Sequence, residues 1–196
     1  MNNYLLSVDP SMKNTGFTLW EKNISKDWKK IQDNTPYEYW KPILISSCSF
    51  KKNSIDNFYR DMHYVIYGTL ELKNELTNSK NNFDLIIERG TFHSKNGIGY
   101  ETQDHLRGFI AGQFNKLLTK DMLISSSECR KWYKEKQELL LPIYTSYSKI
   151  KKWDKDFSIM FATSLIKKNN WNIEIKDHDQ AESLLIGWYY FNKEVK

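Results

Sequence analysis

Leu5-Leu6-Ser7-Val8-Asp9-Pro10 opens the chain as an apolar strand that carries one carboxylate, Asp9, to its C-terminal end. Pro10 to Asn14 make a short turn, and Thr15-Gly16-Phe17-Thr18-Leu19 bring the chain back as a second strand. Two later segments offer acids in similarly fixed places: Asp84-Leu85-Ile86-Ile87-Glu88, and Asp179-Gln180-Ala181-Glu182. A sheet that begins with a strand pair and ends its strands in carboxylates is the first constraint on both fold and chemistry.

Residues 3–9 and 15–20 read as strands, and residues 21–41 as a polar, aromatic loop. Pro42 leads into a third strand, Ile43 to Phe50. Ile55, Phe58, Tyr59, Met62 and Ile66 have helical spacing and predict an amphipathic helix. Phe83 to Glu88 is a short apolar run of the kind that forms a buried parallel strand. Leu106, Phe109, Ile110, Phe114, Leu117 and Leu118 mark a second helix, and Met122 to Ser126 a fifth strand. Ser126-Ser127-Glu128 can start a short helix, and residues 137–153 form a basic connection. Asp154 or Asp156 caps a helix through Lys168, and Asp177 or Asp179 starts the last one. Three meandering strands followed by alternating helix and strand predict an α/β domain with a mixed sheet. No repeat or linker divides the 196 residues, which suit one domain with a full core.

The net charge of +5 is modest, so its placement matters more than its size. Lys29-Lys30, Lys51-Lys52, Arg130 to Lys136, Lys149 to Lys155 and Lys167-Lys168 are interleaved with Trp28, Trp132, Tyr133, Tyr147 and Trp153. Basic clusters with flat rings suit a polyanion carrying bases, and equally describe solvated faces. Cys48 and Cys129 lie far apart without a CxxC pattern, which implies neither a disulfide framework nor a zinc site. Strand structure from residue 4 leaves no room for a leader, and no apolar run has the ~20 residues of a membrane span, so the expectation is a soluble intracellular protein.

Asp9 and Glu88 each end a predicted strand, and meet at one sheet edge if those strands are parallel neighbours. Asp179 and Glu182, three apart, share one face of a helix that is otherwise apolar and must pack on the sheet. Converging acids repel unless cations are bound, and Mg²⁺ prefers oxygen ligands. Each acid also has a plainer reading: Asp9 as a turn former, Glu88 paired with Arg89, Asp179 as a helix cap.

These residues resemble the RuvC-like Holliday junction resolvases of the RNase H-like superfamily. Val8-Asp9-Pro10 with Asn14-Thr15-Gly16 matches the family's opening strand, Asp-Pro, turn and Thr-Gly. Ile86-Ile87-Glu88 is similar to its central Ile-Glu, and Leu106-Arg107-Gly108-Phe109-Ile110-Ala111-Gly112 to the Arg-Gly helix that follows. Asp179-Gln180-Ala181-Glu182-Ser183-Leu184-Leu185 looks like its C-terminal Asp-x-Ala-Asp-Ala-Leu helix. The resemblance spans the chain in order, and its long 21–41 excursion is similar to viral, phage or organellar members.

The resemblance implies an RNase H-like fold with a five-stranded mixed sheet flanked by helices. It further implies a homodimer that nicks four-way DNA junctions symmetrically, leaving 5′-phosphate and 3′-hydroxyl ends. Asp9, Glu88, Asp179 and Glu182 then hold two Mg²⁺ ions, with Mn²⁺ as a substitute. Lys13, Lys149, Lys151, Lys152 and Lys155 are candidate phosphate contacts. Phe92 is the nearest match to the family's junction-wedging Phe, at a different offset and with core burial as the alternative. Glu182 replaces the family's usual Asp, and His178 or Asp177 is a possible additional ligand. Gly108 and Gly112 suit either a dimer contact or close packing within the chain. A broader flap, fork or Y-junction nuclease and a silent binding domain remain the alternatives.

Overall fold

The computed structural model describes residues 4–11, 14–22, 40–49, 60, 83–89, 97–136 and 153–193, without the side chains of 97–102. Five strands form one sheet: β1 (Tyr4–Asp9), β2 (Asn14–Lys22), β3 (Trp40–Ser49), β4 (Phe83–Arg89) and β5 (Leu123–Ser125). Among the described residues four helices flank it: α1 (Gly97–Gln113), α2 (Ser126–Glu135), α3 (Lys155–Asn169) and α4 (His178–Asn192). The strand order is β3-β2-β1-β4-β5. β1–β2 and β2–β3 pair antiparallel, whereas β1–β4 and β4–β5 pair parallel. The mixed sheet is therefore as expected, with β1 and β4 as parallel neighbours. No described helix is long and apolar enough to cross a membrane.

Side chains alternate between the faces of a strand, and this divides the core in two. Leu6, Val8, Leu85 and Ile87 point to one face and pack with Leu106, Ile110 and Ala111 of α1. Leu5 and Ile86 point to the other and pack with Phe161 and Leu165 of α3 and Leu184 and Leu185 of α4. Ser7 and Asp9 share the parity of Leu5, and Glu88 that of Ile86. Both strand-end acids thus belong to the face that α4 covers. Ser7 Oγ donates to the Ser183 carbonyl of α4 at 2.7 Å and accepts from Trp20 Nε1 at 2.9 Å, so this buried hydroxyl is satisfied.

Several boundaries differ from the sequence expectation. β3 begins at Trp40 and runs through Pro42. It tolerates the proline because it is an edge strand, and the register shifts beside Pro42, where Trp20 faces it. α1 stops at Gln113, short of the Phe114, Leu117 and Leu118 assigned to it. Asn115 takes the left-handed conformation there (φ 53°), and the Lys116 N–H donates to the Ala111 carbonyl at 2.9 Å. This is a Schellman ending with Asn in place of the usual Gly. Leu117 is consequently 84% exposed. Asn170 ends α3 in the same way (φ 52°). Asp154 caps α3 and Asp177 caps α4, accepting from the Phe157 and Gln180 N–H groups. The helix expected around Ile55 to Ile66 lies outside the described residues, apart from helical Arg60.

Candidate active site

Asp9 and Glu88 stand at the ends of adjacent parallel strands, whose register runs to Val8 opposite Ile87. Their carboxyl groups are close enough to hydrogen-bond. Across the β1–β2 ladder Asp9 faces Gly16. The missing side chain of Gly16 admits the first turn of α4: a Cβ there would lie 1.9 Å from the Asp179 carbonyl oxygen. Asp179 and Glu182, one turn apart on α4, are in this way brought over the strand ends. Asp9, Asp179 and Glu182 are 8%, 4% and 7% exposed.

Each acid has its own support. Arg107, 2% exposed, donates from Nε to the Glu88 carbonyl at 2.7 Å and pairs through Nη1 with Asp104 at 2.8 Å, holding the end of β4. Asp179 accepts from Asn14 Nδ2 at 2.7 Å, and His178 Nε2 lies 3.2 Å from its Oδ1. Glu182 Oε1 accepts from Trp153 Nε1 at 2.9 Å and from Ser158 Oγ. Arg130 on α2 lies between two acids, with Nη2 3.5 Å from Glu182 and 4.0 Å from Glu88. Its Nε is buried and has no hydrogen-bond partner among the described residues.

Burial pushes the Asp9 carboxyl well above the usual carboxylate range, and Glu88, Glu182 and Asp179 add to the rise. Burial also raises Asp179; the Asn14 hydrogen bond, His178 and Lys155 oppose that rise, while Asp177 adds to it. Asp177 is different. Burial pushes it upward, but hydrogen bonds from Ser47, Gln180 and Asn14, together with His178, hold it below its ordinary value. Its cap role accounts for it, and the capping alternative for Asp179 is thereby overturned.

No three His, Cys, Asp or Glu groups among the described residues stand close enough to grip a metal ion as they are. Asn14 holds one oxygen of Asp179, and Trp153, Ser158 and Arg130 hold one oxygen of Glu182, Oε1. The donor set nevertheless fits a hard divalent cation. It is all oxygen, and four carboxyl groups, Asp9, Glu88, Asp179 and Glu182, act on one another at the same end of the sheet. Lys155 is exposed on the first turn of α3 and acts on Asp179. Lys13, Phe92, Lys149, Lys151 and Lys152 lie outside the described residues. Ser158 carried no signal of a role at the site in the sequence, Asn14 stood out only as part of the turn motif Asn14-Thr15-Gly16, and Arg130 and Trp153 only as members of basic and aromatic clusters.

The arrangement matches known structures in its fold. The Thermus thermophilus RuvC in complex with a Holliday junction substrate superposes with a TM-score of 0.56 at 9% identity, covering 97% of this chain and 94% of that one. This chain has the RuvC fold. The Thermus thermophilus RuvC structure matches the same way, with a TM-score of 0.53, 10% identity, and coverage of 97% of this chain and 95% of that one. No family model matches the sequence, and no curated protein matches it. At such identities the likeness to RuvC is one of fold: an RNase H-like mixed sheet of five strands, flanked by four described helices.

Proposed function

We propose that this chain is a Mg²⁺-dependent, structure-selective DNA endonuclease that resolves four-way junctions by paired symmetric nicks, leaving 5′-phosphate and 3′-hydroxyl ends. One observation carries the reading: Asp9, Glu88, Asp179 and Glu182 gather over one end of the sheet in a chain with the RuvC fold. They are the residues that would hold Mg²⁺. A bound ion would supply an activated water and charge stabilisation for the leaving oxygen.

The chain's own cations have separate tasks in this reading. Arg130 offers a planar guanidinium beside Glu88 and Glu182 on a side chain that is partly exposed, a geometry suited to a phosphate oxygen. Lys155 stands at the same rim as a second phosphate contact. Lys13, Lys149, Lys151 and Lys152 are proposed to extend that contact along the DNA, and Phe92 to meet unstacked bases at the junction centre. One site makes one nick, so two-fold resolution requires a homodimer of this single nuclease domain, residues 1–196. Gly108 and Gly112 support α1 as its contact: both are exposed, and a Cβ on either would meet nothing within 4 Å.

The test is cleavage of a labelled synthetic four-way junction, with Mg²⁺ or EDTA, beside linear duplex and flap substrates. Mg²⁺-dependent symmetric nicks confined to the junction are expected. Equal cutting of flaps would make this a general branched-DNA nuclease, and binding without cutting under several divalent ions would overturn the enzymatic reading.

A further inference from the structure

Glu182 is held in an unusual manner for a residue expected to face an ion. Three donors reach the same oxygen, Oε1, from three separate parts of the chain: Trp153 just before α3, Ser158 within α3, and Arg130 on α2. Trp153 Nε1–H is shared between Glu182 Oε1 at 2.9 Å and Ser158 Oγ at 3.0 Å, so the tryptophan and the serine form one unit. Ser158 is wholly buried. The Trp153 ring stacks on Phe161 with centroids 5.5 Å apart and planes 9° from parallel, and leans on Tyr133 at 6.1 Å. Its Nε1–H therefore has one direction available.

We propose that Trp153 and Ser158 are positioning residues that fix the Glu182 carboxylate, taking Oε1 so that Oε2 is turned to the divalent ion. The inference rests on the reading of Glu182 as an ion ligand. It also gives a physical reason for glutamate where the resemblance implies aspartate. The additional methylene lets one carboxylate reach back to the Trp153–Ser158 pair and forward to the ion. Groups that orient a ligand in this way commonly change metal affinity about 10- to 100-fold when removed.

The experiment is Mn²⁺ binding by titration calorimetry on the full chain at one pH, with melting temperature and junction affinity in EDTA measured alongside. Trp153→Phe keeps the ring stack and removes the donor, and Ser158→Ala removes the hydroxyl. Each is expected to weaken Mn²⁺ binding by about 10- to 100-fold while junction affinity in EDTA stays at the wild-type value. In a Glu182→Ala background, Trp153→Phe is expected to weaken it no further, because both act through one carboxylate. Wild-type Mn²⁺ binding by both variants, or lowered melting temperatures without a change in Mn²⁺ binding, overturns the inference. Should Trp153→Phe fail to fold, Ser158→Ala decides the matter. A wild-type protein that takes up no Mn²⁺, or Asp9→Asn binding it undiminished, instead overturns the metal-site reading beneath it.

Discussion

The backbone carbonyl of Asp179 lies against the bare Cα of Gly16, where a Cβ would stand 1.9 Å from the oxygen and 2.4 Å from the carbonyl carbon. Gly16 is also the ladder partner of Asp9. One residue without a side chain therefore sets the separation between the acid at the end of β1 and the acid at the start of α4. The contacting atoms are backbone and cannot rotate aside. Gly16→Ala is expected to destabilise the fold by about 1–3 kcal/mol, as overpacking does. Nicking should fall further than stability alone accounts for, because Asp179 is displaced from Asp9. Thermal melts paired with the junction assay check this, and a variant that melts and cuts like wild type sinks it.

Asp9→Asn should make the metal-free protein more stable at neutral pH while abolishing nicking. Burial, with Glu88, Glu182 and Asp179, raises the Asp9 carboxyl well above 3.8 in the folded state. The folded protein then holds a proton that the unfolded chain has released, so stability falls as pH climbs above the unfolded value, until Asp9 ionises in the fold as well. Asparagine removes that loss. In EDTA the variant should melt above wild type at about pH 7, and the gap should close as pH approaches about 4. Melts across that range are decisive: a variant less stable than wild type at neutral pH would contradict the sign.

Arg107 and Asp104 are an ion pair with unequal consequences. Arg107 is 2% exposed and also donates to the Glu88 carbonyl, whereas the Asp104 side chain is 49% exposed. Arg107→Leu is expected to cost about 1.5–3 kcal/mol in urea denaturation and to loosen the end of β4. Asp104→Asn should cost less than about 1 kcal/mol, because water screens the pair on that side. Equal losses would mean that the Glu88 carbonyl contact contributes nothing.

Gly108 and Gly112 have room for side chains within the described part of the chain. Replacing either by Ala should stabilise α1 by about 0.5–1 kcal/mol in the dilute monomer, since Gly is entropically costly inside a helix. Gly112→Leu should leave the monomer folded and shift sedimentation from dimer to monomer if α1 is the contact between copies. An unchanged dimer would place that contact elsewhere.

Much of the acid site was legible because strand geometry is local. The apolar runs that end in Asp9 and Glu88 marked both as strand-end acids, while the β1–β4 register and the packing of Leu5 and Ile86 against α3 and α4 put them on a common face. The three-residue spacing of Asp179 and Glu182 does the same on α4. The end of α1 was not legible, because Asn115 adopts a left-handed turn that glycine usually marks, and apolar Phe114, Leu117 and Leu118 continue the helical rhythm beyond it. Nor did any local pattern connect Asn14 to Asp179, 165 residues away, or separate Arg130 from its neighbouring surface cations.

By itself, then, the sequence determined the kinds of element and their order among the described residues, and which strand and helix ends carry carboxylates, since each follows from periodicity and capping over a few residues. Only the tertiary structure decided that β4 inserts beside β1, that α4 descends onto Gly16, and that Trp153, Ser158 and Arg130 meet on one oxygen of Glu182. Those contacts depend on strand order and on how closely one backbone approaches another. Both are set by packing of the whole core, which no short stretch of residues contains.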